Sequence, residues 1–174
     1  MGIQVEVCVQ DCFSPAEENE SVSSTRDKVV GISWEVWFQQ WLEQLQPNLS
    51  PIQAYELSLR LTDDREIQTL NTQYRQQDKP TDVLAFAALE VDSPQAEELQ
   101  DLPLYLGDII ISIETAQRQA IAQGHDLNTE LTWLASHGLL HLLGWDHPDE
   151  ASLEEMLTLQ KALLNTVGVS IMDS

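Results

Sequence analysis

The chain has 174 residues, 43% of them apolar, and a net charge of −21 from 29 acidic and eight basic side chains. This length fits one domain with its own core. Such acidity argues against a protein that coats nucleic acid, because phosphate contacts depend on Lys and Arg. The apolar runs are too short to cross a bilayer, and no basic region precedes an apolar block at the start, so we expect no signal peptide and a cytoplasmic location.

The first residues alternate between apolar and polar side chains, which is typical of a half-buried strand. The apolar members are Ile3, Val5, Val7 and Val9. Cys8 and Cys12 are too few for a disulfide framework, and we interpret them as reduced thiols, one of them buried. The polar segment over residues 12–28 is rich in Ser and Glu and predicts a loop or insertion inside the domain.

Ser33 is a candidate N-cap for a helix over residues 34–45, where apolar side chains recur at helical spacing. Three of them are tryptophans, Trp34, Trp37 and Trp41. Exposed indoles could stack on bases, but large aromatic side chains dominate protein cores, and we interpret this stripe as core.

A second strand is predicted over residues 55–61, where apolar alternation returns. Asp63, followed three residues later by Glu66, has the capping pattern of a helix that runs to about Tyr74. The rest of the chain predicts two more strands, over residues 83–90 and 106–114.

Three further helices are predicted from caps and helical spacing. They cover residues 115–123, the segment from Asn128 or Thr129 to Gly144, and residues 149–166. Four strands and about five helices predict a single α+β domain over residues 1–174, with a mixed sheet and helices packed mainly on one face.

Three of the four histidines lie in the segment HGLLHLLGWDH, residues 137–147. His137 and His141 are four residues apart on a predicted helix, so their rings share one face. Gly144 can adopt the left-handed conformation that ends the helix and lets His147 turn back toward them. One histidine on an apolar helix face is usually a core residue, but three neutral imidazoles with an open position are the ligand set of a catalytic zinc. We expect one ion per chain, and nickel or another divalent ion fits the same ligands.

Asp146, beside His147, is a candidate fourth ligand or hydrogen-bond partner of a ligand, and a plain turn residue is an equal alternative. Zinc peptidases with this spacing carry a glutamate, their general base, where this chain has Gly138. Glycine cannot take a proton, so the metal or another residue would have to do that work.

A second informative segment is LNTQYRQQDKPTDVLAF, residues 70–86, which holds Arg75 and Lys79. Asp82 in the same segment directly precedes the predicted third strand. Taken alone, these residues fit exposed charges at a helix end and an Asp that caps a turn. A guanidinium also matches a phosphate through two parallel hydrogen bonds, so Arg75 is a candidate phosphate contact, and Arg60 and Arg118 could extend the basic patch. Lys79 and Asp82 are candidates for contacting the substrate or for supporting a residue that does.

Together with LGDIIIS at 106–112, these two segments resemble the YbeY family of bacterial endoribonucleases that mature ribosomal RNA. The likeness runs from about Tyr55 onward and includes the order and spacing of all three blocks. It departs at Ala85, where the family commonly has Ser, so no role for that hydroxyl carries over. Residues 12–28 are also longer than the resemblance leads us to expect.

The resemblance implies an α+β metalloprotein that holds zinc through His137, His141 and His147. It implies cleavage of single-stranded RNA, with Arg75 and His137 important for activity, in maturation of the 3′ end of 16S rRNA and in ribosome quality control. A chain this acidic would bind RNA weakly alone, so we expect help from the ribosome or a ribosomal protein, and neither DNA nor a membrane as a partner.

Two other functions stay open from the sequence. The metal could be purely structural in a non-catalytic ribosome-assembly factor. A peptidase of unusual type is the weaker alternative, because the glutamate base is missing.

Overall fold

The structure, a computed structural model, describes residues 3–12, 33–47, 49–88, 102–145 and 149–169. Within these residues the chain forms four strands and five helices. The strands are β1 (Gln4–Asp11), β2 (Ala54–Thr62), β3 (Val83–Ala87) and β4 (Leu104–Ser112). The helices are α1 (Trp34–Leu45), α2 (Asp64–Arg75), α3 (Ile113–Gln123), α4 (Leu127–Leu142) and α5 (Glu150–Thr166).

The four strands form one sheet in the order β1-β2-β4-β3. β1 pairs with β2 and β2 with β4 in parallel, whereas β3 runs antiparallel to β4, so the sheet is mixed as predicted. The register between β2 and β4 shifts at Glu56, and Gly107 follows the shift with a φ of 138°. A Cβ at Gly107 would lie 2.1 Å from the carbonyl oxygen of Phe86, so this close approach of strands requires glycine.

The helices lie mainly on one face of the sheet, as expected. The large core on that face joins buried side chains of α1, α3, α4 and α5 to those of the strands. On the opposite face α2 covers a smaller cluster, in which Ile67 packs with Leu84 and Ile110. Two layers of unequal size therefore enclose the sheet, and α4 and β3 meet at its edge.

The tryptophans of α1 belong to the core, which confirms that interpretation. Trp34 and Trp41 are buried, and Trp37 packs against the same cluster. The indole Nε1 of Trp41 donates to the carbonyl oxygen of Leu163 at 2.8 Å, which ties α1 to α5. A buried indole N–H needs such a partner, because an unpaired one would lose its hydration without compensation.

Several helix ends agree with the local signals. α1 has the predicted bounds, although the side chain of Ser33 makes no capping hydrogen bond. The Asp63 carboxylate accepts from the amide of Glu66 at 2.9 Å, as its capping pattern predicts. Asp149 caps α5 in the same way, by accepting from the amide of Ser152 at 2.8 Å.

Other predicted boundaries are wrong. β4 ends at Ser112 and α3 begins at Ile113 rather than at 115, because the Ser112 hydroxyl accepts from the amide of Thr115 and opens the helix there. α4 begins after Asp126, whose carboxylate accepts from the amide of Thr129, so neither Asn128 nor Thr129 is the cap.

Two further ends also differ from the prediction. α4 ends at Leu142, two residues before Gly144. β3 ends at Ala87, short of the predicted 83–90, whose last two residues lie outside the described part of the chain.

The prediction that one cysteine is buried is wrong. Cys8 and Cys12 are both exposed free thiols. Cys8 points to the face of β1 opposite to Val5 and Val7, whose side chains contact the core.

Most of the predicted loop over 12–28 lies outside the described residues, so its nature, and the single domain over residues 1–174, stay predictions. No helix within the described ranges is long and apolar enough to span a bilayer.

Candidate functional site

A cavity of about 600 Å³ lies between α4 and the edge strand β3. Four predicted site residues are among the side chains that line it: Arg75, Asp82, His137 and His141. They come from the end of α2, the turn before β3 and the middle of α4, which are distant in sequence. The fold therefore brings the two motifs of the sequence to one place.

His137 and His141 lie one turn apart on α4 with their Nε2 atoms 2.9 Å apart. The ring centroids are 4.5 Å apart, and the rings are inclined at 76°. Both side chains are half-buried at the cavity. The i, i+4 spacing thus makes the two imidazoles converge on one point, as predicted.

The remaining residues of the predicted metal cluster, His147 and Asp146, lie outside the described residues. Within the described ranges, no group of three or more His, Cys, Asp or Glu could hold a metal ion. The two imidazoles nevertheless fit such an ion in chemistry, because converging neutral Nε2 atoms are the nitrogen donors that zinc and nickel accept.

Gly138 follows the first histidine, and its packing explains why no glutamate stands there. A Cβ at this position would lie 2.8 Å from Cγ2 of Ile109 on β4, inside any ordinary contact. α4 is therefore pressed onto the sheet at its glycine, and a larger side chain would be directed into Ile109. The close packing of helix and strand disfavours a larger side chain, including a base, at this position.

Arg75 reaches the cavity from the last turn of α2. Its Nη2 donates to the carbonyl oxygen of Ala85 at 2.7 Å, and its Cζ lies 5.2 Å from the ring centroid of Phe86. The side chain is otherwise exposed. One of the five guanidinium N–H groups is thus occupied by the backbone of β3.

Asp82 holds the turn before β3 and also lines the cavity. One carboxylate oxygen accepts from the amide of Val83 at 2.7 Å, and the other accepts from Nε2 of Gln119 at 3.2 Å. It caps the turn into β3 and also forms part of the cavity wall. Lys79 is exposed on the preceding turn and lies outside the described lining.

The suggestion that Arg60 and Arg118 extend the basic patch is wrong. Arg60 pairs with Glu66 at 2.7 Å, and Arg118 pairs with Asp64 at 2.9 Å. Neither lines the histidine cavity. The guanidinium of Arg60 lowers the pKa of Glu66 from 4.5 to about 2 by hydrogen bonding, so this pair is charged near neutral pH.

Two polar residues near the site are not evident from the sequence. Glu130 lies on α4 with its Oε1 at 2.5 Å from Nε2 of His125. Burial raises the pKa of its carboxyl group, and this effect exceeds the lowering by the hydrogen bond to His125. Gln160 of α5 is fully buried, with its Oε1 at 3.3 Å from Nδ1 of His137. In the sequence, Gln160 could have been noticed only as a polar residue on the apolar face of α5, between Met156 and Leu163.

The fold and the site define a class of protein. It is an α+β domain that assembles paired imidazoles and a guanidinium in one cavity, the side chains that hydrolysis of a phosphate ester uses. The family model for Endoribonuclease YbeY matches residues 20–168, and the chain belongs to this family of endoribonucleases. The resemblance identified from the sequence is confirmed.

Two relatives agree with this membership, and a solved structure shares the fold. The chain is 59% identical over 171 residues to the Endoribonuclease YbeY of Trichormus variabilis, across 97% of each chain. It is 58% identical over 171 residues to that of a Nostoc species, across 97% of this chain and 93% of the relative. The solution structure of TM1509 from Thermotoga maritima, at 24% identity, shares the fold with a TM-score of 0.50 over 91% of this chain and 88% of that one.

Proposed function

We propose that this protein is a metal-dependent endoribonuclease that cleaves single-stranded RNA, with 16S ribosomal RNA as its substrate. The observation that carries the proposal is the shared cavity of His137, His141 and Arg75. Nitrogen donors for a metal lie on α4, and a fixed cation for a phosphate reaches the same cavity from the end of α2. Membership in a family of endoribonucleases supports the choice of RNA.

His137, His141 and His147 would hold the metal ion, one per chain. We propose zinc, and nickel fits the same nitrogen donors. An ion there would supply positive charge to the reacting phosphate and acidify a water molecule. The half-buried histidines would keep that ion at the wall of the cavity, in contact with solvent and substrate.

Arg75 would bind the phosphate. Its bond to Ala85 and its place over Phe86 restrict the guanidinium before substrate arrives, so less side-chain freedom is lost on binding. The remaining N–H donors can bind two phosphate oxygens and stabilise the charge that develops during cleavage. Asp82 would hold the turn beside the substrate, and Lys79 would contact a flanking phosphate.

The proposal extends to the partners that would bring RNA to the enzyme. A net charge of −21 repels RNA at long range, so the ribosome or a ribosomal protein would present the substrate. Ribosome quality control and a cytoplasmic location stay predictions of the resemblance and of the sequence.

The test uses the purified full chain with a single-stranded RNA, the same sequence as duplex RNA, and the same sequence as single-stranded DNA. We expect internal cleavage of the single-stranded RNA alone, loss of cleavage with a chelator, and recovery with zinc. Metal analysis should give one ion per chain. Cleavage that persists in a chelator would contradict metal dependence.

The variant His141→Ala distinguishes a catalytic metal ion from a purely structural one. A folded variant without cleavage supports catalysis, whereas an unfolded one supports a structural ion. His125→Gln is the matched control, because His125 lies outside the cavity lining. The packing of Gly138 on Ile109 disfavours a peptidase, and a casein digestion tests that directly.

A further inference from the structure

Gln160 is a fully buried polar residue of α5 that contacts α4 directly behind His137. Its amide has three partners: Nδ1 of His137 at 3.3 Å, the carbonyl oxygen of Trp133 at 3.3 Å and the hydroxyl of Ser136 at 3.4 Å. A buried amide among so many apolar side chains is costly unless each of its groups finds the right partner. The partners therefore decide how the amide is oriented.

The partners of the amide nitrogen are both acceptors. The Trp133 carbonyl has no proton to donate. The Ser136 hydroxyl donates to that same carbonyl at 2.7 Å, so its oxygen faces Gln160 with lone pairs. The amide NH₂ must point to these two groups, which leaves the amide oxygen for His137.

An amide oxygen only accepts hydrogen bonds, so Nδ1 of His137 must carry the proton. The other ring nitrogen, Nε2, then keeps its lone pair and faces the cavity, 2.9 Å from Nε2 of His141. We propose that Gln160 is a positioning residue that fixes His137 in the tautomer able to bind a metal. This inference rests on the metal site of the proposed function.

Groups on α4 and α5 together determine which nitrogen of His137 carries the proton. The Trp133 carbonyl and the Ser136 hydroxyl orient the amide, the amide selects the tautomer, and the tautomer directs a lone pair to the site. Hydrogen-bond partners behind a metal-binding histidine typically change metal affinity 10–100-fold. Gln160 should have an effect of this size without touching metal or substrate.

The direct test is nitrogen NMR of the metal-free wild-type protein at about pH 8.5, above the ordinary imidazole pKa. We expect the His137 signals to show a protonated Nδ1 and an unprotonated Nε2. A protonated Nε2 in the wild-type protein would overturn the inference. This measurement needs no activity and no substitution.

The variant Gln160→Met keeps the length of the side chain and removes the amide. We expect the His137 tautomer to become mixed or to invert, and zinc affinity measured by chelator competition to fall about 10–100-fold. Gln39→Met, at a less buried position on α1, is the matched control and should change neither. Unchanged tautomer and affinity in a folded Gln160→Met would overturn the proposal.

A conservative variant distinguishes loss of the hydrogen-bond acceptor from general destabilisation of the protein. Gln160→Glu keeps an acceptor toward Nδ1, so its His137 should retain the wild-type tautomer even if the protein is less stable. Loss of the tautomer in both variants would contradict the role of the amide oxygen. If wild-type protein binds no zinc, the proposed function fails, while the tautomer measurement still decides the role of Gln160.

Discussion

At the scale of single residues, Arg75 is the sharpest test of the proposed chemistry. Arg75→Ala should leave metal content unchanged and lower cleavage of single-stranded RNA by ~100–1000-fold, the range for loss of one preorganised charge-stabilising group. Arg75→Lys should recover little, because an ammonium cannot bind two phosphate oxygens in a fixed fork. Steady-state cleavage rates and metal analysis of the same samples measure both effects.

The matched control for Arg75 is Arg65→Ala, an exposed arginine of the same helix outside the cavity lining. It removes the same charge and should cut RNA at the wild-type rate. If Arg75→Ala also cleaves at that rate, the phosphate-binding role assigned to Arg75 is wrong.

Glu66 gives a second residue-scale prediction, on stability. Its pKa falls from 4.5 in the unfolded chain to about 2 in the folded protein, mainly through the hydrogen bonds from Arg60. A depressed carboxyl pKa contributes stability above about pH 4.5, and that contribution is lost as the pH falls toward about 2. The free-energy difference between wild type and Glu66→Gln should therefore shrink over that window.

Chemical denaturation at several pH values measures this difference. Glu154→Gln, at an exposed position of α5, controls for the change in net charge. A difference between wild type and Glu66→Gln that stays constant from pH 7 down to about 2 would contradict the assignment of the pair.

The sequence predicted some of these residues and not others, for physical reasons. The histidine pair follows from helical periodicity, which acts within one turn. Gln160 could not be predicted, because its contact with His137 joins residues 23 apart on separate helices. The carboxylate partners of Arg60 and Arg118 could not be predicted either, because each ion pair depends on how the elements pack.

At the scale of elements, the contact between α4 and β4 depends on Gly138. Gly138→Ala would gain up to about 1 kcal/mol in helix propensity and lose about 1–3 kcal/mol to overpacking against Ile109. We expect net destabilisation of up to ~2 kcal/mol in denaturant unfolding, with a shift of the histidines on either side of the glycine.

A double-mutant cycle tests the cause. In an Ile109→Ala background, where the three close carbon atoms are gone, the penalty of Gly138→Ala should disappear. An equal penalty in both backgrounds would show that Ile109 is not the obstacle.

Element boundaries were predictable where a cap stands out in sequence. Asp63 precedes a clear helical pattern and caps as expected, and α5 begins at Glu150, one residue after the predicted start. Ser112 does not stand out, because the apolar run of β4 continues into Ile113 without a break. Only the tertiary structure decides that the strand ends and the helix starts there.

At the scale of the whole molecule, the charge balance governs the affinity for RNA. Arg75 is the one Arg or Lys in the described lining of the cavity, and it faces a net charge of −21. One or two phosphate contacts at about 0.7 each predict a slope of roughly −0.7 to −1.4 for log affinity against log salt. Fluorescence titration of a labelled single-stranded RNA into a non-cleaving His141→Ala protein gives this slope. A slope steeper than about −4 would reveal a larger basic surface than the described residues contain.

The fold class could be predicted from the sequence, but the order of the strands in the sheet could not. Four strands, about five helices and a mixed sheet follow from periodicity and chain breaks in the sequence. The order β1-β2-β4-β3 does not, because pairing of strands far apart in the chain leaves no local pattern. That order is what places β3 at the edge, next to α4, and so forms the cavity.

The bond from Arg75 to Ala85 also bears on self-association. Among the described strands β3 is outermost, and an exposed strand edge invites another chain to add to the sheet. The guanidinium occupies the Ala85 carbonyl and covers Phe86 beside it, so an incoming strand finds that position already taken. The position of Arg75 therefore also disfavours the addition of a second copy of the chain along β3.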